Sequence, residues 1–515
     1  MSYLTSIKTF RLLPVLFLTA ILFSCIDSNK KPAGVYYEIF VRSFADSNGD
    51  GIGDLNGITA KLDYLDNLGI SGIWLTPVMP SPSYHKYDVT DYKAIDPEYG
   101  TLDDFRNLVE EAHRRDIKII IDLVLNHTSN QHPWFIRAAE NDPSFRNYYV
   151  WSSPDSIRNE IAKKKITFDS DNITQWHKNQ IDTLSDYYYG FFWGGMPDLN
   201  MDSPAVRNEI SSIGKFWLED MQVDGFRLDA ARHIYPSDRQ TSNHAFWKWF
   251  RNEMTQYNPN VYLVGEVWAQ APEVAPYLTG LPSLFNFDLA YNISAVVNLK
   301  KDTLHFVERY LSIQKYYQAH SANYTDAVFL RNHDQNRILT ELMDDQQKLK
   351  TAVSILMTLP GIPFLYYGEE IGMKGKKPDE HIREPFLWAS RDEDVFRTKW
   401  ITPEYSNDQT VLSLKNQMQD AYSVYNFYRK WIQFRNQSAL MTNGILEQTP
   451  YRHNGLISFY RVYQNQRMLV FHNISDSVIR MPVNTNGVEF MTDPSVMLSE
   501  KTLYLPAGAS VVLKQ

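Results

Sequence analysis

Eight short apolar runs, separated for the most part by amphipathic helical stretches, restrict this chain more than any other feature. The runs are Tyr37–Phe44, Ile70–Pro77, Ile117–Leu125, Gly225–Asp229, Tyr262–Val267, Leu284–Asp288, Ala327–Arg331 and Pro363–Tyr367. Helical periodicity fills the intervals, as at Leu102–Arg115, Ala205–Met221 and Gln347–Leu359. Strands joined through helices pair in parallel, because a tight hairpin serves only antiparallel neighbours. Eight such units predict a closed (β/α)8 TIM barrel, an α/β fold whose chemistry lies at the C-terminal ends of its strands.

Two stretches depart from the alternation. Residues 128–199 are longer than a βα loop needs and rich in Trp, Tyr, Asn and Asp, so they read as a subdomain inserted after the third strand. After residue 437 the pattern becomes strands and turns, Leu456–Val462, Met468–Asn473, Val488–Thr492 and Ser510–Leu513, which predicts a C-terminal antiparallel β-sandwich over 438–515. The barrel then comprises 35–127 and 200–437. A chain of 515 residues is too long for one core, and this division suits it.

Several strand ends carry charge. The fourth closes on Arg227-Leu228-Asp229 and continues to Arg232-His233; the third ends in Asp122-Leu-Val-Leu-Asn126-His127. The fifth ends in Gly265-Glu266-Val267-Trp268 and the seventh in Arg331-Asn332-His333-Asp334. Any one of these could be an ion-pair cluster under a loop. At successive barrel strands they converge on one pocket. After the first strand, Asp46, Asn48, Asp50 and Asp54 alternate with Gly51 at the sixth position, like the first half of a calcium loop, but the twelfth position is Gly57. Ca²⁺ would be bound there by Asp46, Asn48, Asp50, Asp54 and the Ile52 carbonyl; without metal the same residues make an Asx-rich turn. The net charge of −9 argues against nucleic acid. The aromatic content of 14% supplies faces that can stack on sugar rings, though most must fill the core.

With Met196-Pro-Asp-Leu-Asn200, these strand-end motifs resemble the short signatures of the α-amylase family of glycoside hydrolases, a resemblance covering roughly residues 35–515. It implies Asp229 as nucleophile, Glu266 as general acid/base and Asp334 as transition-state stabiliser. It further implies Tyr87 as the stacking platform under the reacting sugar, His127 and His333 as donors to its hydroxyls, and contacts from Trp268 and Arg337 to the substrate. Many members carry Gly where this chain has Lys86. Retaining glycosidases need two carboxyls about 5 Å apart, one ionised and one protonated. Arg227 faces the same side as Asp229 and is expected to hold it ionised. Burial and neighbouring carboxylates are expected to raise Glu266. Arg232-His233 resembles the α-amylase pair on the leaving-group side, and Met196–Asn200 an intermediate group between α-amylases and oligo-1,6-glucosidase or neopullulanase enzymes. The expected activity is endo-hydrolysis of α-1,4 links in starch, glycogen or maltooligosaccharides. The alternatives are a cyclomaltodextrinase, neopullulanase or α-glucosidase-like enzyme and, in a different class, a non-catalytic glucan-binding lipoprotein. Asn126 with the backbone near His233 would either form a second calcium site or only tie down the loop.

The N-terminus reads as an export signal. Lys8 and Arg11 precede the apolar run Leu12 to Phe23, and Leu22-Phe23-Ser24-Cys25 resembles a bacterial lipoprotein box. Residues 1–24 are then the signal, Cys25 the lipidated residue and 25–34 a polar tether, giving an exported protein anchored to a bacterial membrane by lipid. Cys25 is the only cysteine, so the exported protein has no internal disulfide. A monomer is expected.

Overall fold

A computed structural model describes residues 34–163, 175–180 and 186–515, the side chains of 159–163 excepted. Cys25, the signal and nearly all of the tether lie outside the described residues. Among the described residues no helix is long and apolar enough to cross a membrane.

The barrel strands are β1 (Val35–Ile39), β2 (Ile70–Leu75), β3 (Lys118–Leu123), β4 (Gly225–Leu228), β5 (Tyr262–Gly265), β6 (Ser283–Phe285), β7 (Thr325–Phe329) and β8 (Ile362–Tyr366). Each pairs in parallel with the next, and β8 closes on β1 through Tyr36↔Phe364. The barrel is therefore the one the apolar runs predict. Two runs end earlier than their hydrophobicity suggests. The first is extended only to Ile39; Val41–Phe44 coils into a short helix, with the Ser43 amide bonded to the Phe40 carbonyl at 3.0 Å. The sixth stops at Phe285 because the Asn286 side chain accepts from the Leu289 amide and caps the helix Phe287–Leu299.

Inward residues fill the barrel with aromatic rings. Tyr36, Trp74, Phe285 and Phe364 form one buried cluster with Ile120, Val264 and Phe329. Because side chains alternate across a strand, Asp122 and Arg227 stand above this cluster on the same side. They are cross-strand partners in the β3–β4 register. The outer helices bury a stripe against the strands: Leu102–His113 starts on a Thr101–Asp104 capping box and buries Phe105, Leu108, Val109 and Ala112.

In the inserted region, Trp151–Ser152, Tyr187–Tyr189 and Trp176–Lys178 form a small antiparallel sheet. The bridge His127↔Asp198 and the Leu199 amide, 2.9 Å from the Asn126 carbonyl, tie this region to the end of β3, while the bridge Tyr149↔Leu199 closes it on itself. The C-terminal domain contains a five-stranded sheet, in the order Ile445–Gln448, Leu456–Tyr463, Gln466–Asn473, Ser510–Lys514, Gly487–Met491, and a three-stranded sheet built on Thr502–Leu505. That is more strands than the four the alternation picks out, since Ile445–Gln448, Ile479–Pro482 and Met497–Ser499 are short and mostly exposed.

Candidate active site

Four strand ends bring the charged motifs into one cluster around Arg227. Its guanidinium is fully buried, 5.1 Å above the Trp74 ring. Nη1 lies 2.7 Å from Asp229 Oδ1 and 2.9 Å from Asp122, and Nη2 lies 2.8 Å from Glu266. One cation therefore joins three carboxylates from β3, β4 and β5. Glu266 also accepts from the Ala230 amide at 3.2 Å. Ala230 makes that contact with φ 45°, a left-handed conformation costing an alanine about 1 kcal/mol.

Burial raises Asp229, with Asp122 and Asp334 adding to the push and Arg227 and His127 opposing it. Arg227 favours the charged form of Asp229 as expected, but the cation is shared and burial outweighs it, so the carboxyl is raised rather than lowered. Glu266 is pushed up to about 7 by burial, against Arg227, with Asp229 and Asp334 adding. For Asp334 burial acts upward, but His333 and Arg383 outweigh it and hold the carboxyl well below the usual range. His333 lies 3.1 Å from Asp334 through Nε2, and its Nδ1 meets Glu38. Burial disfavours charge on His333, yet Asp334 and Glu38 push it up to about 10. Tyr87 stacks on His333 (5.5 Å, 9°) and its hydroxyl bonds Asp122 at 2.9 Å. His127 is buried and its pKa lowered by that burial. It lies within 3.2 Å of the Tyr87 carbonyl.

The model of the α-amylase catalytic domain matches residues 38–444, and that of the "Alpha-amylase SusG C-terminal domain" matches 456–512. The chain belongs to the α-amylase family of glycoside hydrolases. It is 45% identical over 443 residues to Alpha-amylase 3 of Dictyoglomus thermophilum, covering 86% of this chain and 84% of that one. A 4-alpha-glucanotransferase of Thermotoga maritima is 35% identical, with 85% and 95% covered. Among solved structures, an α-amylase from H. orenii superposes with TM-score 0.86 at 42% identity, covering 94% of this chain and all of that one. A carbohydrate substrate accords with that membership.

Around this α-amylase-family pocket, Arg232 pairs with Glu273 at 3.1 Å and reaches the Trp268 carbonyl, while His233 stacks on Phe191 at 4.1 Å. Trp268 lies on Phe287 (4.6 Å, 11°) and remains 42% exposed. Phe192, 38% exposed, bridges His127 and His233 from the inserted region. Asn126 donates to the His233 carbonyl and lies 3.4 Å from Asp198. Arg337 is a correction: it is buried, donating to the carbonyls of Ile382 and Tyr367 under the pocket, so it is not offered to a sugar. Arg383 is the arginine at the carboxylate, 3.0 Å from Asp334 Oδ1. No strand-end motif marks it, nor Glu38, whose signal is only a carboxylate inside an apolar run. In the acidic loop, Asp46, Asn48 and Asp50 accept amides of Gly49, Gly51, Asp50 and Ile52, and Asp54 caps the next helix. Among the described residues these three aspartates have no ion pair, and no cluster of three acidic or histidine side chains is assembled for a metal.

Proposed function

We propose that this protein is a retaining endo-hydrolase of α-1,4-glucosidic bonds, acting on starch, glycogen or maltooligosaccharides. The observation that carries the reading is the single Arg227 guanidinium in contact with both Asp229 and Glu266. Carboxylates held by adjacent nitrogens of one guanidinium suit the short spacing of retaining enzymes, about 5 Å, rather than the wider inverting spacing of about 6.5–9.5 Å. Asp229 attacks the anomeric carbon while Glu266 gives its proton to the leaving oxygen. Water, deprotonated by Glu266, then releases the sugar from Asp229. Asp334, kept ionised beside His333 and Arg383, hydrogen-bonds the sugar hydroxyls in the distorted transition state. Tyr87 provides a face for the ring, and His127 and His333 donate to hydroxyls. Trp268, Arg232 and His233 line the leaving-group side.

Reducing-sugar release from soluble starch tests this directly. Wild type is expected to release it, and Asp229→Ala to lose at least about 10³-fold. No release from wild type would sink the hydrolase reading, and release surviving the substitution would sink the nucleophile. Pullulan or cyclodextrin strongly preferred over starch would move the enzyme to the neopullulanase or cyclomaltodextrinase group.

Calcium fits the acidic loop by the chemistry of its donors: Asp46, Asn48, Asp50 and Asp54 and the Ile52 carbonyl are all hard oxygens, with three negative charges among them and, among the described residues, no protein cation paired to them. A bound ion there would supply positive charge to hold the loop. For Asn126 we favour the tie to His233 over a second calcium site, since its amide nitrogen faces that carbonyl. The lipoprotein box supports export and a lipid anchor at Cys25, and loss of lipid labelling and membrane association in Cys25→Ser would bear it out.

A further inference from the structure

The long segment after β8 returns to the pocket through Trp400. Its indole Nε1 donates to Ser43 Oγ at 2.8 Å, and Ser43 in turn donates to the Arg383 carbonyl. Its ring stacks on Tyr84 (5.2 Å, 21°), and the Tyr84 hydroxyl accepts from Arg383 Nη1 at 3.1 Å. Trp400 thus reaches Arg383 by two routes, one to its backbone and one to its guanidinium. Arg383 then holds Asp334 Oδ1 at 3.0 Å and donates through Nε to the His333 carbonyl at 3.0 Å. The rest of the Trp400 ring meets Phe40 at 6.3 Å and the Arg42 guanidinium at 5.6 Å, so its faces are engaged by protein.

On its other side the same segment is fastened to the acidic loop. The Asp46 amide donates to the Phe396 carbonyl at 2.9 Å, and the Lys399 amide to the Gly51 carbonyl at 2.7 Å. These two bonds bracket residues 396–399, and Trp400 follows immediately.

We propose that Trp400 is a positioning residue for Asp334, and that residues 396–400 couple the order of the acidic loop to that carboxylate. The inference rests on reading Asp334 as the transition-state stabiliser and the loop as a cation site. Asp334 acts on the distorted sugar, so a small displacement of it lowers kcat and leaves ground-state binding nearly intact.

The kinetic test uses the full chain on a defined maltooligosaccharide. Trp400→Ala is expected to lower kcat about tenfold to a hundredfold with KM changed less than about twofold. Trp400→Phe, which keeps the ring and loses the bond to Ser43, recovers most of the loss. Should Trp400→Ala fail to fold, Tyr84→Phe removes one oxygen and carries the same expectation. Combined with Arg383→Lys, Trp400→Ala should add little, because both act through one carboxylate. A rise in KM at unchanged kcat, or losses that multiply in the double variant, would overturn the assignment.

Amide exchange tests the coupling without activity. With a chelator instead of calcium, residues 46–54 and 396–400 should both lose protection. Loss at 46–54 alone overturns the coupling. Loss at neither overturns the cation reading and the coupling with it, while the kinetic arm still decides Trp400.

Discussion

Glu266 keeps its proton up to the approach of neutrality, where it is half ionised, because burial, Asp229 and Asp334 oppose its charge more than Arg227 favours it. A general acid with pKa about 7 is lost as pH rises through that value, so kcat/KM should fall above about pH 7. The stability effect has the opposite use. Its folded pKa lies above the unfolded value near 4.5, so the carboxyl destabilises the fold increasingly from about pH 4.5 to about pH 7 and by a constant amount beyond. Glu266→Gln should therefore abolish starch hydrolysis yet raise unfolding stability at pH 8 by on the order of 2 kcal/mol, measured by denaturant titration. A variant no more stable than wild type at that pH would contradict the raised pKa. Lys86 poses a different trade. Its φ of 65° belongs to the left-handed region, which glycine adopts without strain and lysine does not. The strain is offset by the ion pairs of its buried ammonium, 2.7 Å from both Asp96 and Glu98. Lys86→Gly relieves about 1 kcal/mol of backbone strain but leaves buried Asp96 without its partner, so a net loss of about 2 kcal/mol is expected. Single residues were legible where a strand-end motif marked them. Arg337 and Arg383 had no such mark: both follow from how the long segment after β8 folds back, and a sequence offers no register for that.

The elements were easier to read than their ends. The barrel runs carry their period plainly, but Val41-Arg42-Ser43-Phe44 is too short and mixed to tell strand from helix, and a local turn decided it. The acidic loop is the element whose reading depends most on a test. Its amide-to-carboxylate bonds already make the turn, so the loop can keep its path without metal, while the charges on Asp46, Asp50 and Asp54 then repel. An ion bound only by the folded state stabilises it by about 3 kcal/mol at a hundredfold excess over Kd. Exhaustive chelation should lower the melting temperature, and added Ca²⁺ should restore it in proportion to the logarithm of its concentration. Asp50→Asn, exposed and away from the pocket, should weaken that response. A melting temperature indifferent to chelator would leave the Asx-turn reading standing.

At the scale of the whole molecule, the C-terminal sheet is fixed to the barrel by buried polar groups as well as by apolar packing. Ile457, Phe459, Val470 and Val512 belong to the same buried cluster as the barrel's outer layer. Arg461 donates to the carbonyls of Thr358, Met441 and Gly444, and Arg435 to those of Met357, Leu359 and Gly361. Two buried guanidiniums thus satisfy carbonyls left open where the helix Gln346–Thr358 ends. On the sheet strand Gln466–Asn473, His472 is fully buried, bonded to Thr358 Oγ1 at 2.9 Å and Ser510 Oγ at 2.8 Å. Burial depresses its pKa to about 3, so it is neutral in the folded protein. The unfolded chain takes up that proton near pH 6.5, so stability from this group is full above about 6.5 and is lost progressively as pH falls toward 3. Each pH unit in that window removes about 1.4 kcal/mol through this one side chain. His472→Gln can keep one donor and one acceptor at the same seat without titrating. Its stability should therefore fall less steeply than wild type's between pH 6 and 4, by the equivalent of about one proton, in denaturant midpoints taken across that range. Parallel slopes would mean that His472 takes its proton while still docked, and that the barrel and the C-terminal sheet part by some other route in acid.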